Sequence, residues 1–229
     1  MNKNVIIVGA SSGIGLELTR HFSCLKGYRI FALSRNCSDL EKEFEKQAHV
    51  TVHRFDLAAD VHSQLDKIPF PANGIDYLIN NAGFLIKKPF ELISKEEFSQ
   101  SFAINAIGVM QTVQYLLPFL NAKFSHIVNI SSMGAFQGSL KFPELSAYAA
   151  SKAAICNFTE VFATEYADST IKMNCLCLGA VNTKMLKEAF PNYEAKVTAS
   201  EMAHYIADFT LNSGYLVNGK IVPVSLSTP

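Results

Sequence analysis

Seven short apolar runs punctuate this chain: VIIV (5–8), YRIFALS (28–34), VTVHRFD (50–56), IDYLIN (75–80), HIVNIS (126–131), IKMNCLCL (171–178) and KIVPV (220–224). Each is bounded by turn residues and rich in β-branched or aromatic side chains, so each predicts a strand. Between them lie stretches with helical spacing. Ile14, Leu18, Phe22 and Leu25 recur at intervals of four, four and three; the segment from Glu97 to Leu120 carries Phe102, Ile107, Met110, Val113 and Leu117 on one stripe. Strands that are apolar along nearly their whole length must be covered on both faces. Regular alternation with helices does this through right-handed crossovers, so the expected fold class is α/β: a doubly wound parallel sheet of about seven strands with helices on both faces.

No linker, charge run, repeat or low-complexity tract divides the 229 residues, which predicts a single domain over 1–229. Twenty Lys and Arg balance twenty Asp and Glu. No global field therefore favours nucleic acid or an anionic membrane, and a small-molecule substrate is expected. The apolar run after Lys3 is too short for a signal-peptide core, and no run of about 20 apolar residues is evident. The five cysteines are odd in number and show no metal-like pairing; Cys175 and Cys177 share one face of a strand. They read as buried or idle thiols of a cytoplasmic protein, with no metal.

GASSGIG, Gly9 to Gly15, follows the first strand directly and opens the first helix. Glycines are needed where the backbone turns tightly and where no Cβ may separate main-chain N–H groups from a pyrophosphate, and the helix N-terminus adds partial positive charge. A plain strand-to-helix turn has the same composition, but position at the first βα junction points to a dinucleotide and a Rossmann-type sheet. Gly9, Ser11, Ser12, Gly13, Ile14 and Gly15 are the cofactor candidates here. Roughly 20 residues beyond the glycines, an acidic residue would take an adenosine ribose diol. Ser34 and Arg35 stand there instead. A guanidinium pairs with a 2′-phosphate that a carboxylate would repel, so NADP(H) is the expected cofactor. The competing reading leaves Arg35 solvated and lets Asp39 reach back to the ribose of NAD.

Tyr148 and Lys152 are four apart in AYAASKAAICNFTEVFATEY, a helix-like run, and so project from the same face. A phenol with a pKa of about 10 exchanges protons poorly at neutral pH, and a neighbouring ammonium favours its ionised form. Surface Tyr-Lys pairs are common, however, and the spacing alone does not decide. HIVNISS ends a strand on Ser131 and Ser132, at the sheet edge where ligands of such folds bind. A hydroxyl there can hold a carbonyl oxygen while Tyr148 supplies the proton, although serine at a strand end also serves as a plain turn residue.

Gly9, Gly13 and Gly15 in G-x-x-x-G-x-G, the run Asn80-Asn81-Ala82-Gly83, Asn105, Ser132, and Tyr148 with Lys152 together resemble the short-chain dehydrogenase/reductase family over Val5 to about Val224. The resemblance implies Tyr148 as acid/base and Ser132 as the carbonyl holder. It implies that Lys152 lowers the tyrosine pKa and binds the nicotinamide ribose, and that Asn105 holds a water in a proton relay. It places Asn81, Ala82 and Gly83 along the adenosine side, Asp56 and Leu57 beside the adenine, and Gly179, Val181 and Thr183 against the nicotinamide. A homo-oligomer, tetramer or dimer, built on the helices near 100–120 and 148–166 is also implied.

Two departures stand out. Ser132 to Tyr148 is sixteen residues where the family commonly has about thirteen, so the QGSLKFPELS loop is enlarged; Ser131 at seventeen fits worse. Leu178 replaces a usual proline. About a dozen residues after Thr183 form the lid, which predicts a comparatively open pocket, with Phe136, Phe142, Met185, Leu186 and Phe190 as candidate apolar liners. The expected activity is NADPH-dependent reduction of a ketone or aldehyde with Tyr148 as general acid, since NADPH pools usually drive reduction. An NAD-dependent alcohol dehydrogenase on the same fold and a non-catalytic NADP-sensing protein are the alternatives.

Overall fold

The computed structural model describes residues 2–226. Its strands are β1 (Lys3–Val8), β2 (Tyr28–Ser34), β3 (Val50–Arg54), β4 (Tyr77–Asn80), β5 (Ser125–Ser132), β6 (Ile171–Leu178), β7 (Val181–Asn182), β8 (Val197–Thr198) and β9 (Ile221–Val224). Seven of them form one parallel sheet in the order β3-β2-β1-β4-β5-β6-β9, as expected for a doubly wound fold, while β7 and β8 pair separately. The strand order reverses between β1 and β4: the connection after β1 runs to β2 on one side and that after β4 to β5 on the other, which opens a crevice at the strand ends.

The helices are α1 (Gly13–Cys24), α2 (Ser38–Phe44), α3 (Val61–Leu65), α4 (Lys95–Phe102), α5 (Gly108–Leu116), α6 (Ser146–Glu165), α7 (Lys184–Ala189) and α8 (Ala199–Asn212). Alternation along β1 shows how the two layers form. Val5 and Ile7 join Leu18 and Phe22 of α1 and Met202 and Ile206 of α8 in one core, whereas Ile6 and Val8 join Val109 and Val113 of α5 and Ile155 of α6 in the other. Leu18 and Phe22 are fully buried, each contributing about 1.5–3 kcal/mol. Capping boxes at Ser94/Glu97 and Thr198/Glu201 start α4 and α8.

Some strand limits differ from the sequence reading. β3 stops at Arg54 because the Asp56 N–H turns to the Gln64 side chain (2.8 Å). β4 starts at Tyr77 because Ile75 pairs with the 119–121 segment, donating to the Phe119 carbonyl and bridging Leu120.

The expected single helix over 97–120 is also interrupted. Ala103–Ile107 form a π turn between α4 and α5. A π turn inserts one extra residue, which rotates the following helix by about 100°. The buried set is therefore Ile104, Asn105, Ala106, Gly108, Val109, Thr112, Val113 and Leu116, while Ile107, assigned to the inward stripe, is 52% exposed. The whole run Lys95–Phe119 is 25 residues, long and apolar enough by composition to cross a membrane, contrary to the sequence reading; here its inward face packs on the sheet and α6.

Gly108 opens α5 where it crosses the loop after β3, and a Cβ there would collide with the Leu57 carbonyl oxygen. Gly→Ala inside a helix ordinarily stabilises by about 1 kcal/mol. Gly108→Ala is expected instead to destabilise, by about 1–3 kcal/mol, through forced displacement of the Leu57 segment; a urea midpoint above wild type would contradict this packing.

Candidate active site

The crevice is a cleft of about 370 Å³ lined from the C-terminal ends of β1, β2, β4, β5 and β6. At its floor the chain leaves β1 through Gly9, whose φ of +85° only glycine adopts freely. Two other contacts enforce glycine. A Cβ on Gly9 would lie 2.7 Å from the Ala82 Cα, and one on Gly15 would overlap the Gly9 carbonyl oxygen. Asn81 Nδ2 donates to that carbonyl at 3.1 Å, tying the turn to the segment after β4.

Ser12, the N-cap of α1, makes no side-chain cap bond, and the first turn carries no acidic residue. The orphan N–H groups of the helix start therefore retain their capacity for an anion, beside Ser11, Ser12, Gly13 and Ile14 in the cleft wall. Ser34 donates to Ser11 Oγ at 2.6 Å, and the exposed Arg35 follows it on the rim. Arg54 stands opposite Ser34 in the β2–β3 register, a second exposed cation that the sequence reading missed; only strand pairing brings it there. Asp39, the alternative ribose partner, is exposed on α2 and outside the cleft lining.

Asp56, Leu57, Ala82 and Gly83 line one side of the cleft, and Gly179, Val181 and Thr183 the other. Thr183 caps α7 by accepting from Leu186 N–H at 3.3 Å. A glycine-rich turn over an uncapped helix, with small residues on the facing wall, has the shape and donors for a dinucleotide pyrophosphate. Two expected site residues lie outside the cleft: Gly15, whose role is close packing, and Asn105. Asn105 is fully buried, and its amide is engaged by Phe84 N–H (2.7 Å), the Phe84 carbonyl (2.8 Å) and Ser151 Oγ (3.0 Å). The π turn aims it there.

Ser132, Tyr148 and Lys152 meet at the inner end. Burial raises the phenol pKa of Tyr148, and the nearby Ser132 hydroxyl, which favours the ionised form, does not offset it. The expectation that Lys152 lowers it is not met in this structure: Lys152 Nζ instead donates to the carbonyls of Ile130 (2.9 Å) and Ala82 (3.4 Å). Lys152 is itself lowered to about 8 by desolvation. The neighbouring serine is resolved by strand alternation. Ser131 turns to α6 and donates to the Lys152 carbonyl at 3.0 Å, leaving Ser132 as the partner of Tyr148.

The apolar part of the cleft includes Phe142, Met185, Leu186 and Phe190 from the expected set, together with Leu85, Met133 and Leu145; Phe136 instead packs against the core. Phe142 and Phe190 meet edge to face with centroids 6.5 Å apart, and Lys87 Nζ sits 4.6 Å over Phe190 while pairing with Glu144 at 3.5 Å. Glu144, at φ +67°, is the one non-glycine residue with positive φ among the described residues, and its carbonyl accepts from Lys88 N–H.

These features define a nucleotide-dependent oxidoreductase fold, and comparison with known proteins places it. The short chain dehydrogenase family model matches residues 3–194. The chain belongs to that family, whose members are oxidoreductases acting on CH–OH or C=O groups with a nicotinamide cofactor. It is 29% identical over 209 residues to 3beta-hydroxysteroid dehydrogenase 1 of Eggerthella lenta, covering 87% of this chain and 78% of that protein. To 2-(R)-hydroxypropyl-CoM dehydrogenase of Xanthobacter autotrophicus it is 31% identical, covering 81% and 77%. The fold also matches solved structures of 4-hydroxyisoleucine dehydrogenase with NADH (TM-score 0.84, 22% identity, 98% and 97% covered) and a variant actinorhodin polyketide ketoreductase with NADPH (TM-score 0.84, 24% identity, 97% and 95% covered).

Asn105→Ala strips three hydrogen bonds from a buried site and orphans two main-chain groups of Phe84. A stability loss of about 2–4 kcal/mol is expected in urea unfolding; a loss below about 0.5 kcal/mol would mean that the amide does not hold the Phe84 loop.

Proposed function

We propose that the protein is an NADP(H)-dependent carbonyl reductase acting on a small ketone or aldehyde. The observation that carries this reading is the convergence of the Ser132 hydroxyl, the Tyr148 phenol and the Lys152 ammonium in one cleft with the uncapped start of α1. NADPH supplies a hydride when bound. Gly9, Ser11, Ser12, Gly13, Ile14 and Gly15 form its pyrophosphate turn, and Ser34 and Arg35 receive the 2′-phosphate, with Arg54 adding to the local positive field. Asp56, Leu57, Asn81, Ala82 and Gly83 border the adenosine; Gly179, Val181 and Thr183 border the nicotinamide.

Ser132 donates to the carbonyl oxygen of the substrate and fixes its orientation. Tyr148 gives that oxygen its proton. A phenol pKa raised by burial suits this direction, since the group stays protonated at neutral pH. Lys152 provides positive charge beside the developing alkoxide and a donor for the nicotinamide ribose. Asn105 works as a positioning residue through Phe84 and Ser151, on the side where the family resemblance puts a relay water.

We further propose that the whole chain acts as one unit, in the cytoplasm, as a dimer or tetramer. The exposed Ile107 beside α5 and Val161 on α6 favour assembly through these helices. An NAD-dependent alcohol dehydrogenase is the reading that Arg35 argues against.

Arg35→Ala is expected to weaken NADPH, relative to NADH, by roughly 10- to 100-fold in kcat/KM, the worth of one charge-assisted contact; an unchanged ratio would remove Arg35 from cofactor choice. Tyr148→Phe is expected to abolish carbonyl reduction while NADPH still binds, followed by nicotinamide fluorescence, and full activity in that variant would exclude Tyr148 as the acid. Since Lys152 carries its charge below about 8 and loses it above, kcat/KM for reduction should be level at neutral pH and fall as pH rises through about 8. A profile level to pH 10 would contradict the role of the ammonium.

A further inference from the structure

Behind the catalytic residues, three cysteines converge from two elements. Cys156 lies one turn beyond Lys152 on α6, and Cys175 and Cys177 alternate along β6 so that both point at α6. The Cys156 sulfur is 3.6 Å from that of Cys177 and 4.0 Å from that of Cys175, and all three lie within 4.8 Å of one another. Cys175 and Cys177 are fully buried and Cys156 is 9% exposed. Ser131 Oγ stands 3.4 Å from the Cys156 sulfur. The sequence shows only the i, i+2 pair on β6; the third thiol, some twenty residues earlier, is brought in by the α6–β6 crossover.

Alanine or valine would fill such a space equally well, but only sulfur brings three soft donor atoms to one point. An ion with three metal–sulfur bonds of about 2.3 Å in a plane holds its sulfurs about 4.0 Å apart. The Cys156–Cys175 separation equals that spacing and the Cys156–Cys177 separation is somewhat shorter. Charge also balances. Three thiolates around a divalent ion carry a net charge of minus one, and the buried ammonium of Lys152, which interacts electrostatically with all three thiols, brings the set to neutrality.

We propose that Cys156, Cys175 and Cys177 form a three-thiolate binding site for a soft divalent d10 cation, seated between α6 and β6 beneath the catalytic helix. On binding, three S–H bonds break, three metal–sulfur bonds form and three protons pass to the solvent. The site is separate from the dinucleotide cleft and does not depend on the reaction assigned to it.

Anaerobic titration of the reduced full-length protein with Cd²⁺ tests this, read by thiolate-to-metal charge-transfer absorbance and by native mass spectrometry. One ion per chain is expected, with affinity falling at least about 100-fold in both Cys156→Ser and Cys177→Ala, each checked for fold by circular dichroism. Cys24→Ser and Cys37→Ser should bind as wild type does. Stoichiometric binding that survives in both cluster variants, the absence of charge-transfer absorbance at one equivalent, or absorbance that appears only after unfolding in urea would each overturn the site.

Discussion

The buried ammonium of Lys152 is the interaction on which the inner site depends. Removing a positive charge from water is costly unless it is compensated, and two main-chain carbonyls, of Ile130 and Ala82, supply the compensation. Those carbonyls belong to β5 and to the loop after β4, so one side chain of α6 locks the helix onto two strand ends at once. Ser131 adds a bond to the carbonyl of the same lysine, and Asn105 holds Ser151 in the adjacent turn. Tyr148, one turn earlier on α6, inherits its position from this clamp.

At the outer end the constraint is steric. The turn after β1 is closed so tightly that Gly9 touches Ala82 and Gly15 touches Gly9, and no side chain fits at either position. This compression brings the start of α1, with its unspent N–H groups, to the place where the sheet order reverses. Electrostatics inside the cleft and packing beneath it thus meet along β1 and β4. The phenol is raised and the ammonium lowered by the same burial, and each group is thereby left nearer its neutral form than it would be in water.

Much of this was legible in the sequence. Apolar strands with turn-bounded ends are a strong signal, and the seven-strand parallel sheet follows them closely; the glycine turn and Tyr148 with Lys152 are local motifs whose spacing carries their geometry. Features that depend on distant partners were not legible. The π turn at Ala103–Ile107 answers to the demand that Asn105 reach Phe84, which the stripe Phe102, Ile107, Met110 does not encode. Arg54 joins Arg35 only through the β2–β3 register, and Cys156 joins Cys175 and Cys177 only through the packing of α6 on β6. The supposed effect of Lys152 on Tyr148 failed for a related reason: helical spacing fixes which face a lysine shares, not which carbonyls its long side chain finds.

The inner site is built on a lysine whose ammonium is desolvated and held by two main-chain carbonyls. Titration of the Lys152 Nζ resonance by heteronuclear NMR, assigned by its loss in Lys152→Met, measures this directly in the cofactor-free protein. A midpoint of about 8 is the expected result. A midpoint near 10.5, the ordinary value for lysine, would show a solvated amine and contradict the clamp from which the rest of the site is built.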